Sequence, residues 1–295
     1  MAMGALGMAH SLPLRGEGSK ASAKFRYCLN TSTISGQNPG LLKYIEIASR
    51  AGYDGIEVWV RDVEAALKEG HTLSSLKSYI DDHGLQVESA IGFAPWMNDG
   101  EAGFIQMEKE MQMLGGIACR RIAAPPAGVP TDKALDLFAV GEKYNRLLDL
   151  GRLTGVMPQL EFWGSSPILW HLGQVLMIAA VANDPDVKIL PDVYHMFRGG
   201  TGFDALKMLN GCLIDIFHMN DYPEYKPREQ QDDADRVYPG DGAAPMKQIL
   251  TDLNNMGGEK VLSLELFNRS YWEEDPNLVA ELGLAKMKSL VGEIA

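Results

Sequence analysis

Three cysteines in 295 residues, Cys28, Cys119 and Cys212, are too few and too far apart to form a disulfide framework, and no two make a C-x-x-C metal or redox pair. They read as small core hydrophobes. No run of about 18 apolar residues occurs, so no transmembrane helix is expected. Basic residues are in deficit, with 27 Lys and Arg against 39 Asp and Glu, a formal net charge of −12. Binding nucleic acid through its phosphates needs a basic face, so no nucleic-acid partner is expected. The same balance gives no reason to expect attachment to anionic lipid. A glycine-rich phosphate turn is missing too. The first strand-like run leads into Thr33-Ile34-Ser35-Gly36-Gln37-Asn38-Pro39-Gly40, which is neither G-x-G-x-x-G nor a P-loop.

What is present is ordinary globular composition, 46% hydrophobic and 22% charged, in a chain long enough to bury a core without staples. Residues 1–23 stand apart. They begin small and apolar and end Ala21-Ser22-Ala23, like the close of an export signal that lacks its basic start. A flexible tail or a residual signal is expected there, which leaves the location cytoplasmic or exported. From Phe25 onward, β-rich runs alternate with amphipathic helical ones. The strands fall at 25–33, 55–60, 86–92, 119–125, 157–163, 188–194, 214–221 and 260–267. Helical spacing marks 40–51, 72–83, 102–114, 132–154, 167–183, 202–209, 245–255 and 276–291. Eight strand–helix units imply parallel pairing through crossovers, and predict an α/β fold, a single (β/α)8 TIM barrel over 24–295. An open doubly wound sheet is the alternative, and it lacks its phosphate turn. One long loop, 222–243, follows the seventh strand; a loop of that length is functional or disordered.

On strands five to eight, one polar residue breaks each apolar run near the carboxyl end: Glu161, Asp192, His218 and Glu265. Side chains alternate along a strand, so Leu160 and Phe162 point toward the helices while Glu161 points into the barrel. The same parity turns His218 and Glu265 inward. Carboxylates in a dry interior repel one another and cost several kcal/mol unless a cation joins them. Three carboxylates and an imidazole suit one divalent metal ion, with Mn²⁺ or Mg²⁺ favoured and Co²⁺ or Zn²⁺ possible. Glu57 shares the inward parity and is a candidate substrate contact or interior ion-pair partner, with Arg26 or Arg120 as its cation. Trp59, Phe93, Trp96 and Trp163 lie near strand ends, where rings can pack on a sugar or on the rim.

This order of Glu, Asp, His and Glu resembles the xylose isomerase-like barrels, the sugar phosphate isomerase/epimerase superfamily that includes ketose 3-epimerases and inosose dehydratases. Three motifs carry the resemblance: Asp192-Val193-Tyr194-His195, His218-Met219-Asn220-Asp221, and Arg236-Val237-Tyr238-Pro239-Gly240-Asp241-Gly242. It implies that Glu161, Asp192, His218 and Glu265 hold the metal. It also implies that Glu161 and Glu265 exchange an α-proton through an enediolate, and that His195 and Arg236 contact the substrate, with Trp163 beside them. The chain departs from the ketose 3-epimerases in two places. No second carboxylate follows Glu161 between Phe162 and Ile168, and Glu224 stands where an Arg is usual. The expected partner is a small sugar or sugar derivative, and a homo-oligomer is possible. A metal-dependent dehydratase of a cyclic polyol or keto-sugar and a non-catalytic sugar-binding barrel are the competing readings. A DNA-repair endonuclease on the related barrel would use a three-metal site with several histidines, and of the six here only His195 and His218 fall on suitable strand ends, in a chain of net charge −12.

Overall fold

Eight short runs rich in branched and aromatic residues pair in parallel, and helices return the chain between them. A computed structural model of the protein describes residues 24–132 and 134–294; the expectation for residues 1–23 lies outside these. The chain order is β1 (Lys24–Asn30), α1 (Leu41–Ala51), β2 (Gly55–Trp59), α2 (Val60–Lys68), α3 (Leu73–Asp82), β3 (Gln86–Ile91), α4 (Ala102–Gly115), β4 (Arg121–Ala124) and α5 (Leu137–Thr154). It continues with β5 (Met157–Glu161), α6 (Leu172–Ala182), β6 (Ile189–Leu190), α7 (Val193–Arg198), β7 (Ile216–Met219), α8 (Met246–Met256), β8 (Glu259–Leu264) and α9 (Pro276–Gly292).

β1 pairs with both β2 and β8, so the sheet curls back on itself as a TIM barrel. Hydrogen-bonded ladders run β3-β2-β1-β8-β7 and β4-β5-β6. A parallel bridge between Asp192 and His218 crosses the seam from β6 to β7, where the His218 N–H donates to the Pro191 carbonyl. Two apolar layers follow from strand alternation. Ile56, Val58, Leu160, Phe217, Leu262 and Leu264 face the helices. Cys28, Ile91, Ala123, Leu190, Ile216 and Val261 fill the barrel interior. Each such aliphatic side chain, fully buried, contributes roughly 1.5–3 kcal/mol.

Several elements differ from the sequence expectation, each for a local reason. β6 is two residues long because Pro191 has no N–H to extend the ladder and Asp192 caps α7, its carboxylate accepting from the His195 N–H at 2.7 Å. Residues 31–33, expected to prolong the first strand, form a 3₁₀ turn capped by Asn30. α2 was not anticipated: it follows Trp59 with no Gly or Pro between, and buries Val60, Val63 and Ala66 at helical spacing. α5 and α6 start later than expected, at the caps Asp136 and His171. The segment 202–209 is a 3₁₀ turn rather than an α-helix. Cys28 and Cys119 are buried, but Cys212 is exposed and is no core residue. No helix among the described residues is long and apolar enough to cross a membrane.

The two ends of the long loop after β7 are gathered on one side chain. The buried Asp221 carboxylate accepts from the N–H groups of Tyr222, Gly240, Gly242 and Ala244 at 2.8–3.1 Å. A side chain at Gly242 would meet the Tyr222 carbonyl at 2.3 Å, so glycine is required for this wrap. Asp221→Ala strips these donors of their acceptor in a buried place. It is expected to cost about 2–4 kcal/mol, measured as a lower urea midpoint with an unchanged slope.

Candidate active site and metal centre

The strand ends bring the chemistry together. Glu161 is the last residue of β5, His218 the penultimate residue of β7, and Glu265 follows the end of β8. Asp192 sits at the α7 cap. All are buried at the carboxyl end of the barrel, where such folds keep their reactive groups. Asp192, His218 and Glu265 each offer a ligand atom, all within 4.8 Å of one another. His218 Nδ1 lies 3.1 Å from Glu265 Oε2 and 3.7 Å from Asp192 Oδ2. Metal–ligand bonds of about 2.1 Å space ligand atoms by about 3.0–3.4 Å; the Glu265 separation falls in this range and the Asp192 separation is wider, so one ion fits with a small inward shift of Asp192. Neither contact has hydrogen-bond geometry, and Nδ1 is buried without a hydrogen-bond partner. A buried ring nitrogen aimed at two carboxylates in this way has the arrangement of a metal ligand. Glu161 stands outside the three-residue group. It lines the adjacent cavity, and its carboxylate has no hydrogen bond or ion pair among the described residues.

The shell beneath orients these groups. The Nε2–H of His218 donates to Glu57 Oε2 at 3.0 Å. The same oxygen accepts from Ser263 Oγ at 2.7 Å and from Asn30 Nδ2 at 2.9 Å. Asn30 Nδ2 also reaches Glu265 Oε1 at 3.0 Å, and Asn220 Nδ2 donates to Asp192 Oδ2 at 2.7 Å. A carboxylate behind a ligating imidazole fixes its tautomer and orientation. The expectation for Glu57 is corrected accordingly. It is fully buried and does not line the cavity, whereas Trp59, two residues further along the same face of β2, does. Its ion-pair partner is His218, not Arg26 or Arg120; Arg26 bonds Glu88.

Arg236 enters from the long loop and is 1% exposed. Its Nη1 donates to Asp192 Oδ2 at 2.9 Å and to Glu265 Oε2 at 2.8 Å. Its Nη2 donates to Asp233 Oδ1 at 2.8 Å and lies 3.1 Å from His195 Nε2. On its other side, His195 Nδ1 accepts from the Gly164 N–H at 3.2 Å. The cavity above holds about 260 Å³ and is walled by Trp59, Phe93, Trp163 and Phe267. Glu161, Ser165, His195, Asp233, Arg236 and Glu265 supply its polar atoms. Trp96 lies apart in the core, with its Nε1–H on the Pro125 carbonyl. Sequence reasoning passed over Asn30, Ser263, Ser165, Asp233 and Phe267. Inward parity was available for Asn30 and Ser263, which sit two residues from an inward Cys28 and Glu265.

Charges in this space set one another. Burial pushes Glu161 up to about 8, and the carboxylates of Glu265, Asp192 and Glu57 add to this against the opposing charge of His218. Burial also acts to raise Asp192, but the charges of Arg236, His195 and His218 prevail and hold it down at about 2. Burial opposes a charge on His218, yet Glu265 and Glu57 hold its pKa well above the usual value. His195 is lowered, first by burial and then by Arg236, against the pull of Asp192. Without an added cation, the charge of the cluster is lowered, though not cancelled, by Arg236 and by the raised proton affinities of His218 and Glu161.

This fold and cluster define a TIM barrel with a buried carboxylate–imidazole group at the carboxyl ends of its strands. The chain belongs to the xylose isomerase-like TIM barrel family, whose sequence model matches residues 45–290. The inosose isomerase of Halalkalibacterium halodurans is 26% identical over 277 residues, spanning 91% of this chain and 96% of that protein. The crystal structure of IOLI protein with a binding zinc atom superposes with a TM-score of 0.83 at 22% identity, covering 92% of this chain and 99% of that one. A D-psicose 3-epimerase solved in the presence of D-fructose gives a TM-score of 0.71 at 18% identity, over 90% of this chain and 99% of that one.

The raised pKa of Glu161 has a thermodynamic consequence for the metal-free protein. A folded value of about 8 against an ordinary 4.5 means that its contribution is fully present below pH 4.5 and is lost as pH rises toward 8. Melting wild type and Glu161→Gln in chelator from pH 5 to 8 is expected to show the variant gaining steadily on wild type. The gain should total of the order of 4 kcal/mol.

Proposed function

We propose that this chain is a divalent-metal-dependent isomerase or epimerase of an uncharged, sugar-like keto-polyol, with inosose as the first substrate to try. The observation that carries the reading is the convergence of Asp192, His218 and Glu265 beside an unbonded Glu161 on the wall of an aromatic-lined cavity. Asp192, His218 and Glu265 would hold the ion, with Glu161 as a fourth ligand. A bound divalent ion supplies Lewis-acid chemistry there, polarising a carbonyl and acidifying the adjacent C–H.

The chain's own residues divide the remaining work. Glu161 on β5 and Glu265 after β8 face the cavity from well-separated strands, so one carboxylate can remove an α-proton while the other returns a proton to the other face or a neighbouring atom. His195 is buried and neutral, and with Nδ1 taken by the Gly164 N–H its proton resides on Nε2, facing the cavity. It donates there to the oxygen that gains charge as the enediolate forms. Trp59, Phe93, Trp163 and Phe267 exclude water and offer flat faces to the C–H side of a ring. Three carboxylates line the cavity against a single guanidinium, which favours a neutral polyol over a sugar phosphate. The relatives named inosose isomerase support this substrate class.

The test is NMR in D₂O with inosose and a ketose panel, after loading with Mn²⁺, Mg²⁺, Co²⁺ or Zn²⁺ in turn. Exchange of the α-proton and an isomeric product are expected. Glu161→Gln and Glu265→Gln should each lower the rate by about 10²–10⁴-fold. Full turnover in both variants would remove the acid–base assignment. A product lighter by one water would mark a dehydratase, and tight binding without exchange a binding protein.

A further inference from the structure

We propose that Arg236 is an internal cation that competes with the metal for its ligands, and that it must release Asp192 and Glu265 before the site becomes active. The inference rests on the metal reading above. Its basis is that Nη1 donates to Asp192 Oδ2 and Glu265 Oε2, the two oxygens that His218 Nδ1 also faces. One positive group therefore already satisfies the oxygens that a divalent ion needs.

Two features mark this position as a compromise. The first concerns His195. The Gly164 N–H donates to Nδ1, which leaves the single proton of the neutral ring on Nε2. Arg236 Nη2 stands 3.1 Å from that nitrogen and can only donate, so two N–H groups oppose each other. The second is Arg236 Nε, which is buried without a hydrogen-bond partner. An unsatisfied buried donor on a charged group is costly. Both strains are relieved when the guanidinium withdraws.

A place to withdraw to exists. Arg236 lines the cavity, and its partner Asp233 is half exposed at the mouth. The guanidinium can pivot on Asp233 while the backbone stays fixed by Asn268, whose Nδ2 donates to the Arg236 carbonyl at 2.9 Å. Withdrawal does two things at once. It frees two carboxylate oxygens for the ion, and it uncovers the His195 Nε2–H for the substrate. Arg236 is thus a positioning residue that couples metal loading to assembly of the substrate site.

The experiment measures Zn²⁺ and Mn²⁺ affinity by competition with a chromophoric chelator in wild type, Arg236→Met and Arg236→Lys. The Met variant is expected to bind at least about tenfold more tightly, with Lys between. Equal or weaker binding by Arg236→Met overturns the proposal while leaving the metal reading intact. Failure of every form to bind metal at millimolar concentration sinks both. Crystal structures of the wild-type protein, metal-free and metal-soaked, decide the matter even if a variant does not fold. Arg236 Nη1 is expected on both oxygens without metal and off both with it. An arginine that stays in place beside a bound ion overturns the inference, whatever the affinities.

Discussion

Carboxylates that share a closed, nearly dry volume cannot all be ionised without a cation, and the rest of the site is organised around that constraint. Asp192, Glu265, Glu161 and Glu57 are each at most 4% exposed. Fixed donors take part of the load: Asn30 on Glu57 and Glu265, Ser263 on Glu57, Asn220 on Asp192. Neutral hydrogen bonds orient a carboxylate but leave its charge uncompensated. What remains falls on Arg236 and on the raised proton affinities of His218 and Glu161, and a divalent ion can take over most of that load.

The opposite end of the barrel shows the same problem solved permanently. Glu88 is 1% exposed, and it is paired with Arg26 at 2.8 Å and with Arg121 at 3.3 Å. Arg121 continues to Asp215, which Lys188 also reaches. Each buried acid there has a cation anchored on a neighbouring strand or at a strand's edge. At the carboxyl end the cations are of another kind: one titrates, and the other is carried on a loop that enters from outside the sheet. Buried acids held by strand-borne arginines read as structural, whereas acids with perturbed proton affinities in a cavity mark a candidate functional site.

Strand parity made the four strand-end residues legible, because alternation fixes which face a side chain takes. It does not fix depth. Glu57 and Glu161 have the same inward parity, but Glu161 ends its strand while Glu57 is followed on the same face by Trp59, which lines the cavity in its place. The distance from the strand end carried that difference, and the strand ends were read one to four residues too late. Asn30 was hidden for the same reason, since it was taken as mid-strand when it is the cap of the next turn. Asp233 could not be read at all. It reaches the site through the loop wrapped on Asp221, a contact set by N–H groups 19 to 23 residues further on, which no periodicity encodes.

That wrap explains why a loop can take part in a centre that needs fixed geometry. A long loop is ordinarily mobile, and a guanidinium on a mobile stem would neutralise the carboxylates only part of the time. Asp221 gathers the loop's far end back to β7, and Val237 forms an antiparallel bridge to Asp221 itself. The residue next to Arg236 is therefore pinned to the residue three places after His218. The backbone on both sides of the cluster is thereby tied together, and the Arg236 guanidinium is the group that the proposed release would move. A rigid stem with one mobile cation can respond to what enters the cavity without disturbing the ligands beneath it. Neither a strand-borne arginine nor a free loop would provide that combination.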